Sequence, residues 1–451
     1  MAPPHTGVAI SDCIFECLID WGIENKISTI TLDNASSNDA AVRNLKDNFA
    51  VKGKLYFGGK IFHVRCCAHV LNLMVQEGLH EIRDVIANVR ESVKYLKMSP
   101  SRLHRFTEIV KQLQLPISKG LILDVSTRWN STYAMLESAL IFKDVFPRYK
   151  ERDPYYQWLP SYEDWDKALE VCKFLEVFND ATHIFSGCDY PTSNLFLPEV
   201  WKIRQILNEK SDINNKDYIR KMTSRMRDKL DKYWGDCNLL MAMGAVLDPR
   251  YKMKLVEFSY SKIYPSFEAS NHIKTILSSL STLYGEYVSS YSSNSMKPKN
   301  QSGASSSIAS TDGGSVKAKT KGRAEFDLWA KELDTIVPIK SDLDIYLEEG
   351  LYICKEESDF DFNVLDWWKS NTLKFRILSN MARDILSIPI TSLASEFAFS
   401  AGGRVLDQYR SSLKPETVQA LICTGDWLRN EWKITKLTEI DEDEMQNVSI
   451  E

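Results

Sequence analysis

Apolar positions in the first third of the chain switch between two periods. Val8, Ile10, Ile14, Leu18 and Trp21 recur at near-helical spacing and predict a helix over residues 7–22. Residues 26–32 (KISTITL) are β-branched and alternate, which predicts a strand. Asp33 ends that strand, and the polar run NASSN at 34–38 can cap a helix running through Ala41, Val42 and Leu45. A second strand is predicted at 60–65. From Cys66 onward the helical period takes over. Val70, Leu71, Met74, Val75 and Leu79 form a stripe that Ile82, Ile86 and Val89 continue. Further helices are expected near 103–115, 131–146, 164–185, 195–207, 218–233 and 272–288.

The pattern stops at 289–324, a stretch rich in Ser, Gly and Lys that cannot bury enough surface to offset chain entropy. It is expected to be a disordered linker. Packed helical sequence resumes over 325–435, and residues 436–451 form an acidic tail. The predicted organisation is an α/β piece over 1–65, a helical block over 66–288, the linker, and a helical C-terminal region. The expected fold class is mixed α/β, predominantly α, because two strands are too few for a complete α/β domain.

Composition narrows the classes. An apolar content of 44% is ample for a buried core, and eleven Trp predict large aromatic clusters. Net charge is −5, so contact with a polyanion must come from a local basic patch. Nine Cys, with Cys66 and Cys67 adjacent, follow no disulfide framework and fit reduced thiols. The start, MAPPHTGVAISD, has no basic region before an apolar run, so no signal peptide is expected. No run of about 18 apolar residues predicts a membrane span.

Four segments carry candidate chemistry, and a fifth carries only a structural pair. Asp33 stands at the carboxyl end of a predicted strand in TLDNASSND, where open α/β sheets place functional groups; by spacing alone it reads as a turn residue. Glu396 lies in LASEFAFS after Pro389, in the first turns of a predicted helix whose dipole suits a carboxylate. Cys66 and His69 form a C-x-x-H in CCAHVLNLMVQEGL. Two ligands do not complete a zinc site, Cys13 and Cys17 sit on an apolar helix, and no orienting residue accompanies a nucleophilic pair, so zinc is not expected. DVSTRWNSTY holds Arg128 and Trp129, suited to a phosphate and a base or, alternatively, to an acid and a helix interface. LDPRYK holds Asp248 and Arg250, expected to pair at a helix end.

The order of these motifs, together with residues 362–428 (a Trp pair, an apolar helix, the FS turn, Gly-Gly and a second apolar helix), resembles hAT-superfamily transposases, especially the plant Ricesleeper/Daysleeper type. The resemblance runs from Pro3 to Trp432 outside the linker and is weakest over 150–240. It implies an RNase H-like core, incomplete here, with a helical insertion and a C-terminal dimerisation region, acting on DNA in the nucleus. It makes Asp33 and Glu396 remnants of three catalytic carboxylates that hold two Mg²⁺ or Mn²⁺ ions about 3.5–4 Å apart in an intact relative. It makes Arg128 and Trp129 DNA contacts, with Trp129 stacking on an extruded base. Cys66 and His69 become scaffold at the entrance to the insertion, and Trp367, Trp368, Leu421, Ile422 and Trp427 become dimerisation residues. Arg376 and Lys414 depart from the pattern, standing where relatives commonly have proline and a serine cap.

The loop that follows the first carboxylate strand in this family corresponds here to residues 2–7. The expectation is therefore that the BED finger and the first Asp are absent and that the chain does not cut DNA by itself. Its partners would be a second copy or a related hAT protein, and DNA held weakly and without sequence preference. The alternatives are a fragment of an active metal-dependent transposase, or a dimerisation module acting on intact relatives.

Overall fold

The computed structural model describes residues 6–51, 55–116, 120–187, 190–295, 340–354, 362–396 and 413–432. Its two strands are shorter than the segments 26–32 and 60–65 that predicted them. β1 (Ile30–Leu32) and β2 (His63–Arg65) pair in parallel, Ile30 opposite His63 and Leu32 opposite Arg65. A tight turn at Tyr56–Gly59, with Phe57, Gly58 and Gly59 all at positive φ, occupies the chain just before β2 and delays it. Helix α1 (Gly7–Asp20) precedes β1, and α2 (Ser36–Val51) connects the strands, as a parallel pair requires. Val42, Leu45, Phe49 and Phe62 form a small core here, against Ile14, Phe15 and Leu18 of α1. Gly7 permits that packing, since a Cβ there would fall 2.4 Å from the Ala40 Cβ.

The chain divides into two compact units, Met1–Ile390 and Thr391–Glu451. In the first, the helical block begins with α3 (Cys67–Leu79) and α4 (Arg83–Lys97). The continuous stripe of the sequence is split between them by a 3-10 turn at His80–Ile82. There follow α5 (Pro100–Gln112), α6 (Trp129–Ile141), α7 (Val145–Arg152), α8 (Tyr162–Phe185), α9 (Phe196–Lys210), α10 (Asp217–Val246), α11 (Lys252–Ile263) and α12 (Ser266–Ser295). Ser161 and Asp164 form a capping box that starts α8. One apolar cluster runs through all of these helices.

Helix α12 extends seven residues into the stretch expected to be linker. Tyr287 stacks on Tyr56 at 5.1 Å, and the hydroxyls of Ser289 and Ser292 donate to carbonyls four residues back, so the serines are accommodated on the helix surface. The rest of the expected linker, and the acidic tail, lie outside the described residues.

The C-terminal region contributes to both units. Helices α13 (Asp342–Glu348), α14 (Val364–Ser370) and α15 (Leu378–Leu386) belong to the first unit, so the expected 325–435 region is divided at Ile390. The LDPRYK segment is the reason. Trp368 Nε1 donates to Leu247 O at 2.8 Å, Tyr346 Oη to Val246 O at 2.9 Å, and Tyr352 N to Pro249 O at 2.9 Å. The buried Lys252 ammonium donates to Tyr346 O (2.6 Å) and Glu349 O (3.0 Å), terminating α13 as a lysine cap. Asp248 and Arg250 make the expected pair, two-pronged at 3.1 and 2.8 Å, with Asn194 as a third partner at 2.7 Å. Arg376 does not disturb α15, whose first amides are satisfied by Asp342: Ile377 N lies 2.9 Å from its Oδ2. In the second unit, residues 393–396 form a helical turn and α16 spans Pro415–Glu431.

Candidate metal and DNA-contact residues

Asp33 sits directly after β1, half-buried. Its Oδ1 accepts from Ala35 N (2.9 Å) and Asn38 Nδ2 (2.6 Å), the geometry of a side-chain turn that launches α2. Beside it, Arg65 pairs with Asp39 at 3.0 Å and also reaches Asn34 Oδ1 at 3.4 Å. Asp39, a carboxylate in the first turn of α2, is thus already held by a cation. Thr31 Oγ1 donates to Pro389 O at 2.7 Å and Cys67 N to Ile390 O at 2.8 Å, so the polypeptide leaves the first unit along the end of this strand.

Glu396, in the second unit, is exposed. Its amide bonds Ser392 O at 3.2 Å, and its Oε1 accepts from Ser392 Oγ at 3.1 Å, which caps the turn. Phe399 and Ser400 of the same motif lie outside the described residues. Two hard divalent ions need several convergent oxygen ligands. Among the described residues no three His, Cys, Asp or Glu gather as such a set, and one Asp33 oxygen is engaged by its own turn.

Cys66 and Cys67 are buried at the start of α3, where Cys66 N donates to Leu32 O at 2.8 Å; His69 is half-buried one turn further on. The two cysteine amides thus tie α3 to β1 and to Ile390. Cys13 on α1 is half-buried and Cys17 is exposed.

The Arg-Trp motif is built more elaborately than its sequence indicates. Arg128 immediately precedes α6 and its side chain is exposed, with no carboxylate partner among the described residues. Ser131 Oγ closes the loop, receiving Val125 N at 2.9 Å and donating to Arg128 O at 2.7 Å. Two amides on the polar face of α3 hold it from outside. Asn72 donates to Thr127 O (3.4 Å) and accepts from Trp129 N (3.2 Å), while Gln76 donates to Ser126 O (3.2 Å). Underneath, the fully buried Asp124 carboxylate is gripped by Arg90 through two bonds of 2.7 Å and by Thr132 Oγ1 at 2.7 Å. Burial pushes this carboxyl up, but the hydrogen bonds from Arg90 and Thr132, with the charge of Arg90, outweigh it and hold it below its ordinary value.

Two expectations are corrected here. Trp129 is 1% exposed, its ring inside the helical core and 6.2 Å from Tyr133, so it offers no face to an extruded base in this conformation. As the first residue of α6 it is turned inward against α3 and its neighbours, leaving Arg128 as the outward member of the pair. Trp368 is likewise 1% exposed and packs on Tyr346, Trp367 and Phe375, so it has no surface to give a partner subunit; Trp367 is half-buried in the same cluster. The second unit differs. Leu421 is 49% and Trp427 69% exposed, and Ile422 is half-buried. Sequence reading missed Asn72, Gln76, Arg90 and Thr132. The i, i+4 spacing of Asn72 and Gln76 marks one face of α3, but nothing in the sequence says what that face meets.

Comparison with protein families matches four stretches of the chain. Residues 1–61 match the ZBED1 RNase-like domain and 64–174 the ZBED1 RNase-like helical domain. Residues 194–287 match the hAT-like transposase RNase-H fold, and 342–428 the hAT family C-terminal dimerisation region. Domains of the hAT transposase-like family are thus present in the chain. Among relatives, the zinc finger BED domain-containing protein RICESLEEPER 2 of Oryza sativa subsp. japonica is 42% identical over 95% of this chain. DAYSLEEPER of Arabidopsis thaliana is 38% identical over 94%, and a putative AC transposase of Zea mays 36% over 94%. The chain spans 59%, 58% and 51% of the lengths of those three proteins. In this hAT-like chain, the stretch matched to the RNase-H fold at 194–287 consists of α9 to α12. The dimerisation match includes α13 to α15, which serve the core of the first unit, as well as most of α16. Among the described residues, no helix is long and apolar enough to cross a membrane.

Proposed function

We propose that this chain is a transposase-derived nuclear protein that associates with DNA, pairs through α16 with a second copy or a related hAT chain, and does not cut DNA by itself. The observation that carries the last part is the state of Asp33. One of its oxygens is engaged in starting α2, the neighbouring Asp39 is paired with Arg65, and no three-acid group is gathered among the described residues. Pairing is supported by the match to the hAT dimerisation region and by the exposed Leu421 and Trp427, apolar side chains of the kind that anchor interfaces. DNA association is supported by the family and by the outward Arg128, held in place by Asn72 and Gln76. In this reading Mg²⁺ and Mn²⁺ are cofactors of an intact relative, and no zinc is expected.

The alternative, part of an active transposase, draws on the chain's spanning only 59% of RICESLEEPER 2. A nicking assay on supercoiled plasmid with Mg²⁺ or Mn²⁺ separates the two. No nicking is expected. Metal-dependent nicking lost in both Asp33→Asn and Glu396→Gln would overturn the proposal in favour of the active enzyme.

A further inference from the structure

A chain of net charge −5 holds a polyanion only where cations are locally concentrated. One such concentration shares no residue with the Arg128 loop. Residues 94–112, the end of α4 and all of α5, carry Lys94, Lys97, Arg102, Arg105 and Lys111 against the single acid Glu108. Residues 148–152 of α7 add Arg148, Lys150 and Arg152 against Glu151.

The fold joins these helices. Helix α5 packs on both α4 and α7. Arg102 Nη1 donates to Tyr95 O at 3.3 Å, linking α5 to α4, and Arg152 Nη2 donates to Gln112 Oε1 at 2.7 Å, linking α7 to α5. Lys94, Arg105, Lys111, Arg148 and Arg152 are exposed. Of these, Arg105, Lys111 and Arg148 have no carboxylate partner among the described residues, so their charge is not neutralised locally.

Aromatic groups border the cations. The loop at 153–160 rests on α4, with the Trp158 ring 5.6 Å from that of Tyr95, while the Arg102 guanidinium lies 3.8 Å from the Tyr95 ring centre. This ladder fixes Arg102 and leaves Trp158 36% and Tyr155 82% exposed.

We propose that the α4–α5–α7 face is a second DNA-contact surface, binding the phosphate backbone of a duplex without reading its sequence. Helices that present Lys and Arg without carboxylate partners supply the groups that contact phosphates, a contact that carries no sequence information. The inference rests on the DNA-association reading above and names the surface that performs it.

The test is fluorescence anisotropy of a labelled duplex of arbitrary sequence with the full chain, over a salt series. Parent, triple variant Arg105→Glu/Lys111→Glu/Arg148→Glu and Arg128→Ala are compared, each first checked for a parental circular-dichroism melt. A milder triple, all three to Gln, serves if charge reversal disturbs folding. Removing one phosphate-neutralising cation flattens the plot of log affinity against log salt by about 0.9, so the triple variant is expected to lose a slope of about 2.7 and at least about tenfold in affinity at about 50 mM salt. Arg128→Ala should change the slope by about 1 or less. A triple variant that binds with the parent's affinity and slope overturns the inference and leaves DNA association standing. A parent that retains no duplex at low salt overturns both. Preference for a polyglutamate peptide of matched charge over the duplex assigns the face to an acidic protein and also overturns the inference.

Discussion

Replacing Trp368 by Phe tests whether the paired tryptophans of the dimerisation region act between subunits or within one. The indole is 1% exposed and its N–H donates to Leu247 O at 2.8 Å, with Tyr346 and Phe375 rings 5.0 and 5.8 Å away. Phenylalanine keeps most of the ring packing but cannot donate, which leaves a buried carbonyl unpaired at a cost of about 1–3 kcal/mol. The side chain is also roughly 40 Å³ smaller, which at about 24 cal/mol per Å³ of cavity adds about 1 kcal/mol. The expected loss is therefore about 2–4 kcal/mol, rising to about 3–5 kcal/mol for Trp368→Ala. Urea unfolding followed by far-ultraviolet circular dichroism measures it, and light scattering on the same samples gives the mass. The particle mass of folded Trp368→Phe should equal the parent's. A stability within about 0.5 kcal/mol of the parent, or a monomeric mass at unchanged stability, would refute the reasoning and return Trp368 to the interface.

The converse variant, Leu421→Ala/Trp427→Ala, removes two exposed groups and should leave unfolding nearly unchanged. It should weaken self-association by about 2 kcal/mol or more, roughly thirtyfold, in sedimentation equilibrium. Asp124→Asn leaves Arg90 without its anion and should cost about 1–3 kcal/mol at neutral pH. Because the folded carboxyl lies below its ordinary 3.8, its contribution is fully present above that pH and is lost as pH falls through the folded value, so parent and variant should converge in acid. Unfolding free energies across pH check this; a gap that persists in strong acid would count against the ion pair. Asn72→Ala removes the acceptor of the Trp129 amide, which should then exchange hydrogen at least about tenfold faster, about 1.4 kcal/mol of lost protection, while amides of α12 are unaffected.

By itself the sequence determined the local elements and the order of the motifs. The segments at 26–32 and 60–65 became β1 and β2, and the helical stripes became helices with shifted ends, because backbone periodicity and capping are short-range properties. The Asp248–Arg250 pair was legible for the same reason, lying two residues apart. The hAT resemblance, carried by motif order, agreed with the families matched. What only the tertiary structure decided depends on which surfaces meet. Tryptophan has the same pattern whether it faces a core or a partner, so nothing local distinguished the buried Trp129 and Trp368 from the exposed Trp427. Asn72 and Gln76 acquire a role only because the loop at 125–129 lies across α3, and Asp124 only because Arg90 stands opposite it, 34 residues away. Asp33 reads by sequence as a ligand or as a turn former; its amide neighbours at 2.9 and 2.6 Å show how it starts α2, which its spacing alone did not reveal. Long-range packing, which sequence spacing does not encode, set those roles.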